Sequence, residues 1–281
     1  MECKNCNQQL QESDQFCNTC GAKVIRNRLT FGSLFTEIRE RIFNLDSNKP
    51  LHTFLDLFLR PEKVIDGYIT GVRKRYINPF GYLTIAITVF GAFLFFFSEE
   101  YSAAMSSMSS ASDNAGPQAE LLKKINDNVL KYQSFIFFLF VPFLALVSKI
   151  VFLKNKKYNY VEHIIINTYG QAHISLASTI LYFATVWHDS AFSMLTVSIT
   201  FINILYFAYM LKRLYGLSFL GIILKTLLFA VILIPFFIII TIITWVLLII
   251  TGTVSIQDLI DAEKAKKGVS YIASSVINWT S

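Results

Sequence analysis

Four cysteines fall within the first twenty residues, as Cys3-x2-Cys6 and Cys17-x2-Cys20 with ten residues between the pairs. Each CxxC turn presents two thiolates to one ion. Four sulfurs at about 2.3 Å close a tetrahedral shell, the pattern of a structural zinc site. Small or polar residues between the thiols, and Gly21 after them, suit a tight knuckle. A closed shell leaves no position for substrate, so its expected role is to stabilise a fold too small for a core of its own. Residues 1–24 are therefore expected to form a zinc ribbon with Cys3, Cys6, Cys17 and Cys20 as ligands and no catalysis. Only Lys4, Lys23, Arg26 and Arg28 are basic nearby, so nucleic acid is not an expected partner.

A second group of chemistry-bearing residues sits inside an apolar run. Glu162, His163, Asn167, Tyr169, Gln171 and His173 interrupt residues 161–186. At about 100° per residue, Glu162, Tyr169 and His173 share one helix face. His163, Asn167 and Gln171 form an adjacent stripe. Ionisable groups at membrane depth are costly and mark a functional face by default. Hydrogen bonding between helices is the plainer reading. Glu162 and His173 stand roughly 16 Å apart along one helix, too far for a direct acid–base pair. The candidate intramembrane polar site is Glu162, His163, Asn167, Tyr169 and His173. No nucleophile–base set, phosphate loop or HExxH motif occurs, so no enzymatic activity is expected.

The elements that would position these groups follow from composition. Of the 281 residues, 54% are apolar, 26 are Phe, and only 16% are charged, against about 25% charged in soluble domains. Mean hydropathy is +0.50. Water cannot be the only solvent for such a chain. The expected fold is an all-α membrane protein with about five transmembrane helices, near 80–97, 134–153, 161–186, 190–211 and 219–250, within a bundle over 79–251. The last run is too long for a straight crossing, and one tilted, kinked span through Lys225 and Pro235 is expected rather than a re-entrant hairpin. Residues 27–78 carry apolar positions at helical spacing, as cytosolic amphipathic juxtamembrane helices. Pro50 and Pro61 suit first turns. Ser102–Gln118 reads as a loop, Ala119–Tyr132 as an amphipathic segment and 252–281 as a tail. Arg73, Lys74 and Arg75, then Lys149, Lys154, Lys156 and Lys157, then Lys212 and Arg213 flank alternate span ends. The positive-inside rule puts these and the N-terminus in the cytosol. No secretory signal precedes the cysteines, which agrees with a reducing compartment.

Residues Leu59 to Phe80 form a distinctive cassette before the first span. Its basic and tyrosine residues suit a headgroup region, so Arg60, Tyr68, Arg73, Lys74, Arg75 and Tyr76 are candidate lipid or partner contacts. The ribbon's Phe16-Cys17-Asn18-Thr19-Cys20-Gly21 followed by Arg60, Pro61, Val64, Ile65, Tyr68, Ile69, Gly71, Arg73, Tyr76, Asn78, Pro79, Tyr82 and Leu83 resembles an uncharacterised bacterial membrane family, domain of unknown function 3667. The resemblance is specific over residues 3–83 and implies a bacterial inner-membrane location with no assigned activity. The five-span plan is also loosely similar to Yip1-type membrane proteins, in architecture alone. The expected function is a non-enzymatic multi-pass scaffold or sensor whose ribbon engages a cytosolic protein partner, with membrane lipids around it. The alternative is a small-solute, ion or lipid transporter using the polar third span.

Overall fold

The computed structural model describes residues 1–24, 28, 30–33, 49–109 and 133–250. Most of the expected first amphipathic helix, the segment 119–132 and the tail 252–281 lie outside these. Among the described residues the regular structure is helical: α1 (Lys49–Leu59), α2 (Pro61–Thr70), α3 (Pro79–Ser109), α4 (Gln133–Val151), α5 (Tyr160–Thr185), α6 (Asp189–Tyr215) and α7 (Phe219–Ile250).

Local chemistry sets the boundaries. Pro61 begins α2, where its missing N–H costs nothing. Gly71 ends it at φ 115°, a left-handed conformation. The Val72 N–H then reaches Gly67 O at 2.7 Å and the Gly71 N–H reaches Tyr68 O at 3.2 Å, the double closure of a Schellman turn. Helix α3 breaks its regular geometry at Phe97 (φ −130°, ψ 31°), the last residue of its apolar run. Helix α7 runs unbroken from Phe219 to Ile250 with Pro235 inside it.

Among the described residues, three helices can cross a membrane by length and composition: Pro79–Ala104, Asp189–Tyr215 and Phe219–Ile243, with a shorter apolar stretch at Phe140–Val151. Helix α5 is too polar to join them on composition, and the reason is its position. It is the central helix, touched by α2, α3, α4 and α6, and its polar residues are turned to neighbours rather than to the surroundings. Gly170 lets α6 approach it. A Cβ there would come within 2.9 Å of Met210 Cε and Phe207 Cζ, so a small residue is required at this crossing.

Ring contacts fix relative directions. Tyr82 stacks on His173, Phe93 on Tyr182 and Phe97 meets Trp187. Later residues of α3 thus meet later residues of α5, so the two helices run parallel.

The outer surface is apolar over long stretches: Phe95 is 81% exposed, Phe201 68%, Phe237 62% and Ile250 75%. In water each such side chain would forgo roughly 1.5–3 kcal/mol of burial. Helix α1 is apolar on both sides, with Leu57 fully buried in the core and Phe54 packed against it. Thr53 and Asp56 face inward, while Leu51, Leu55 and Leu59 face outward at 65, 49 and 63% exposure. That orientation suits hydrocarbon around α1, not water.

Candidate metal centre

The N-terminal module consists of two matched knuckles. In the first, the Cys3 N–H reaches Gln8 O and the Asn7 N–H reaches Cys3 O, both at 2.8 Å. In the second, the Cys17 N–H reaches Ala22 O at 2.8 Å and the Gly21 N–H reaches Cys17 O at 2.7 Å. Asn7 and Gly21, each four residues after the first thiol of its pair, both take φ 62°. Asparagine tolerates that conformation better than most residues, so Asn7 is the counterpart of Gly21, a correspondence legible in the spacing. Antiparallel bridges Glu2–Gln9 and Phe16–Lys23 close the two turns.

All four Sγ atoms lie within 4.8 Å of one another. Cys3 and Cys20 are 3.7 Å apart, Cys6 and Cys17 3.6 Å. These separations far exceed a disulfide bond. They match the edge of about 3.8 Å expected for a tetrahedron of sulfurs at 2.3 Å from a central ion. The cluster can therefore hold a metal ion. The thiols are unequal without one. The Gln8 N–H favours the Cys6 thiolate, but desolvation and the three neighbouring sulfurs push that thiol up to about 12. At Cys20 desolvation opposes ionisation, yet the Ala22 N–H, the Asn5 side chain and neighbouring thiols outweigh it and bring it down to about 6. Loading a cation must expel protons from the cluster, so affinity falls as pH falls.

The module is bound to the cassette. Lys4 Nζ donates to Thr70 O at 2.8 Å, at the end of α2, and Lys74 Nζ donates to Cys20 O at 2.5 Å. Tyr68 and Tyr76 are buried in the core, at 3% and 5% exposure. Arg73 lies over the Tyr68 ring at 5.1 Å and Arg75 over the Tyr76 ring at 5.6 Å. Arg60 pairs with Asp56 at 3.3 Å. Of the six cassette residues singled out from the sequence, Arg60, Arg73 and Arg75 retain outward-facing surface, Lys74 is engaged by the cysteine module, and the two tyrosines are structural.

Tyr76 also donates to Asp56 Oδ2 at 2.7 Å. Burial works against the Asp56 charge, but the Tyr76 hydroxyl and Arg60 outweigh it and hold the carboxyl below its ordinary 3.8. Burial first, and Asp56 second, push Tyr76 up to about 12. A depressed carboxyl contributes stability above its unfolded value and loses it as pH falls through the folded one. A raised phenol contributes stability below its unfolded value and loses it as pH rises through the folded one. Melting temperature in detergent should therefore drop below about pH 4 and again above about pH 10. In Asp56→Asn the acid drop should shrink and stability at neutral pH should fall. An acid limb of unchanged depth in that variant would show that the pair is not responsible.

Helix α5 holds the remaining sequence-derived candidates in separate networks. Asn159 caps it: its Oδ1 accepts from the Glu162 N–H at 2.8 Å, and Glu162 accepts from the Asn159 N–H at 2.7 Å, a reciprocal capping box. Glu162 also accepts from Arg28 at 2.7 and 2.6 Å. His163 joins Ser148 of α4 through Nδ1 and Tyr215 of α6 through Nε2, the latter at 3.0 Å. Asn167 donates to Ser148 at 3.3 Å and to His163 O at 2.8 Å. Tyr169 donates to Ile77 O at 2.7 Å. These four residues are thus accounted for by caps and bonds between segments.

His173 differs. Its Nδ1 meets the Tyr82 hydroxyl at 3.1 Å, but its buried Nε2 has no partner among the described residues. Its ring is enclosed by Phe58, Tyr206 and Phe54 at centroid distances of 4.2, 4.9 and 5.0 Å. Ser148, Tyr215, Asp56 and Asn7 escaped sequence reasoning. Only Asn7 had a signal, its mirrored spacing. The others acquire their roles through pairing across distant segments.

One end of the bundle gathers the cations. Arg213 forks onto Glu62 at 2.6 and 3.1 Å, Lys157 pairs with Asp66 at 3.3 Å, and Lys149 donates to Tyr158 O at 2.7 Å. The four-cysteine module lies at this same end.

Fold and site define a class: among the described residues, a helical protein with three helices fit to cross a membrane and an N-terminal cysteine cluster able to hold a metal. Residues 48–91 match the model of a family described as Protein of unknown function (DUF3667). That segment spans α1, α2, the cassette and the first part of α3, so it is shared with an uncharacterised family. No curated protein and no solved structure matches the chain.

Proposed function

We propose that this is a non-enzymatic scaffold or sensor of the bacterial inner membrane. Its ribbon holds structural zinc in the cytosol and presents a docking surface to a protein partner. The observation that carries the reading is the pair of bridges from the knuckles to the cassette. Lys74 grips the carbonyl of the candidate ligand Cys20, and Lys4 grips the last carbonyl of α2. The state of the cluster is thereby tied to the helix that leads into the first span. Zinc suits four thiolates at these separations, and a closed shell leaves no catalytic position. Five crossings with a cytosolic N-terminus agree with α3 and α5 running parallel and with the basic residues gathered at one end.

The transport alternative, in its sequence-derived form, needs water to reach His173 on α5. His173, the deepest ionisable group on it, has no exposed surface, which favours the scaffold reading. Hydrogen exchange with mass spectrometry tests the coupling. Chelation of the metal should raise exchange in residues 66–76 together with residues 1–24, with α5 unchanged. Faster exchange confined to residues 1–24 would make the ribbon a passive cap.

A further inference from the structure

A cavity of about 310 Å³ opens among α4, α5, α6 and α7, on the side of α5 away from His173. Its volume lies at the lower end of ordinary ligand pockets, and such pockets combine an apolar wall with a few convergent polar groups. Phe140, Leu144, Phe229 and Leu233 give one wall; Asn167, Gln171 and Asn203 line the other, with Lys225 beside them.

These polar groups are incompletely satisfied. The side-chain amides of Gln171 and Asn203 make no hydrogen bond to any described residue. Lys225 uses one of its three donors, on Val151 O at 2.6 Å, and lies 5.1 Å from the Phe152 ring centroid. No carboxylate among the described residues pairs with it. A cation and two free amides in an otherwise apolar cavity are expensive unless an occupant completes them. The required chemistry is an anion for Lys225, acceptors for the amides and a hydrocarbon chain for the far wall.

The rim indicates the source. Ile204 borders the cavity and is 48% exposed, within the apolar surface that includes Phe201 and Leu205, both 68% exposed. The mouth therefore opens sideways into the bilayer. Lys225 lies in the second turn of α7, and its partner Val151 ends α4, so the charged side of the cavity is toward the basic end of the bundle.

The geometry points to a binding site for one anionic glycerophospholipid, with its phosphate at Lys225, its ester oxygens accepting from Gln171 and Asn203, and one acyl chain along Phe140 and Leu233. This rests on the membrane reading above, and insertion is scored separately by carbonate extraction, so the two can fail independently.

The test is native mass spectrometry of delipidated full-length protein titrated with phosphatidylglycerol, phosphatidylcholine or laurate. Wild type should retain one phosphatidylglycerol and bind phosphatidylcholine at least tenfold more weakly. Lys225→Met and Asn203→Leu should each lower phosphatidylglycerol occupancy at least tenfold, while Lys149→Met leaves it unchanged. Asn203→Leu adds hydrocarbon inside the bilayer, so it serves if Lys225→Met fails to fold. Equal binding by Asn203→Leu and wild type overturns the site. Binding of laurate without phosphatidylglycerol reassigns it to a free fatty acid and overturns the proposal. No binding of any probe means that the cavity is filled by water or by the chain itself, and overturns it as well.

Discussion

Replacing Cys17 and Cys20 together by Ser should reduce bound metal from about one ion per chain to none, because two thiolates cannot hold a structural four-sulfur site. This is the largest effect expected anywhere in the chain. Structural zinc contributes roughly 10–16 kcal/mol of binding free energy in small modules, and that energy is their folding energy. The module has a core of little more than Cys3, Leu10, Cys17 and Ala22, far too small to persist alone. Trypsin should then cut at Lys4 and Lys23 in the variant under conditions that spare wild type. Helices α3 to α7 should stay inserted and protease-resistant, since none of their packing passes through the module. Elemental analysis of the purified variant and a digestion time course are sufficient. Metal retained at wild-type stoichiometry would dismiss the four-sulfur site.

The two buried histidines of α5 should respond in opposite ways. His163→Leu strips a partner from both Ser148 and Tyr215, at the junction of α4, α5 and α6. A buried polar group left without its partner costs about 1–3 kcal/mol; two groups lose one here, but Ser148 keeps its bond from Asn167, so the expected loss is roughly 2–4 kcal/mol. In full hydrocarbon the figure shrinks toward about 1 kcal/mol per bond, because the unfolded helices also find partners there. His173→Leu removes one bond, to Tyr82, and also removes a nitrogen that has no partner among the described residues. Leucine fits the aromatic surroundings of Phe54, Phe58 and Tyr206, and the net change should stay within about 1 kcal/mol. Melting in detergent, read as the fraction remaining monodisperse after heating, ranks the two. A His173→Leu loss as large as that of His163→Leu would mean that Nε2 has a partner after all, as a solute path would require.

What the chain disclosed before folding depended on how local each signal was. The cysteine knuckles were legible because both halves of each turn lie within five residues. Helix boundaries at Pro61 and Gly71 were legible for the same reason. The polar stripe of α5 was visible, but its meaning was not. Its partners Ser148, Ile77, Tyr82 and Tyr215 lie on other helices or in the cassette, and nothing in helical periodicity says which of two adjacent stripes meets them. Tyr68 and Tyr76 read as interface residues on composition. Their burial follows from α1 and α2 folding back against α5 and α6, a long-range event. The cavity beside Lys225 was hidden because four separate helices contribute to it.

The docking of helix α1 has a consequence for biosynthesis. Its final carbonyls are capped from far downstream: Tyr206 donates to Leu57 O and Tyr209 to Leu59 O, across sequence separations of 149 and 150 residues. Its Phe54 and Phe58 meet His173 of α5, and Phe58 meets Tyr206 of α6, so this face has no settled environment until α5 and α6 exist. Helix α1 must therefore wait undocked while most of the membrane domain is translated and inserted, although it is made before the helices that receive it. A ribosome stalled before residue 206 should leave α1 and the cassette open to added protease, and one stalled well beyond residue 215 should not.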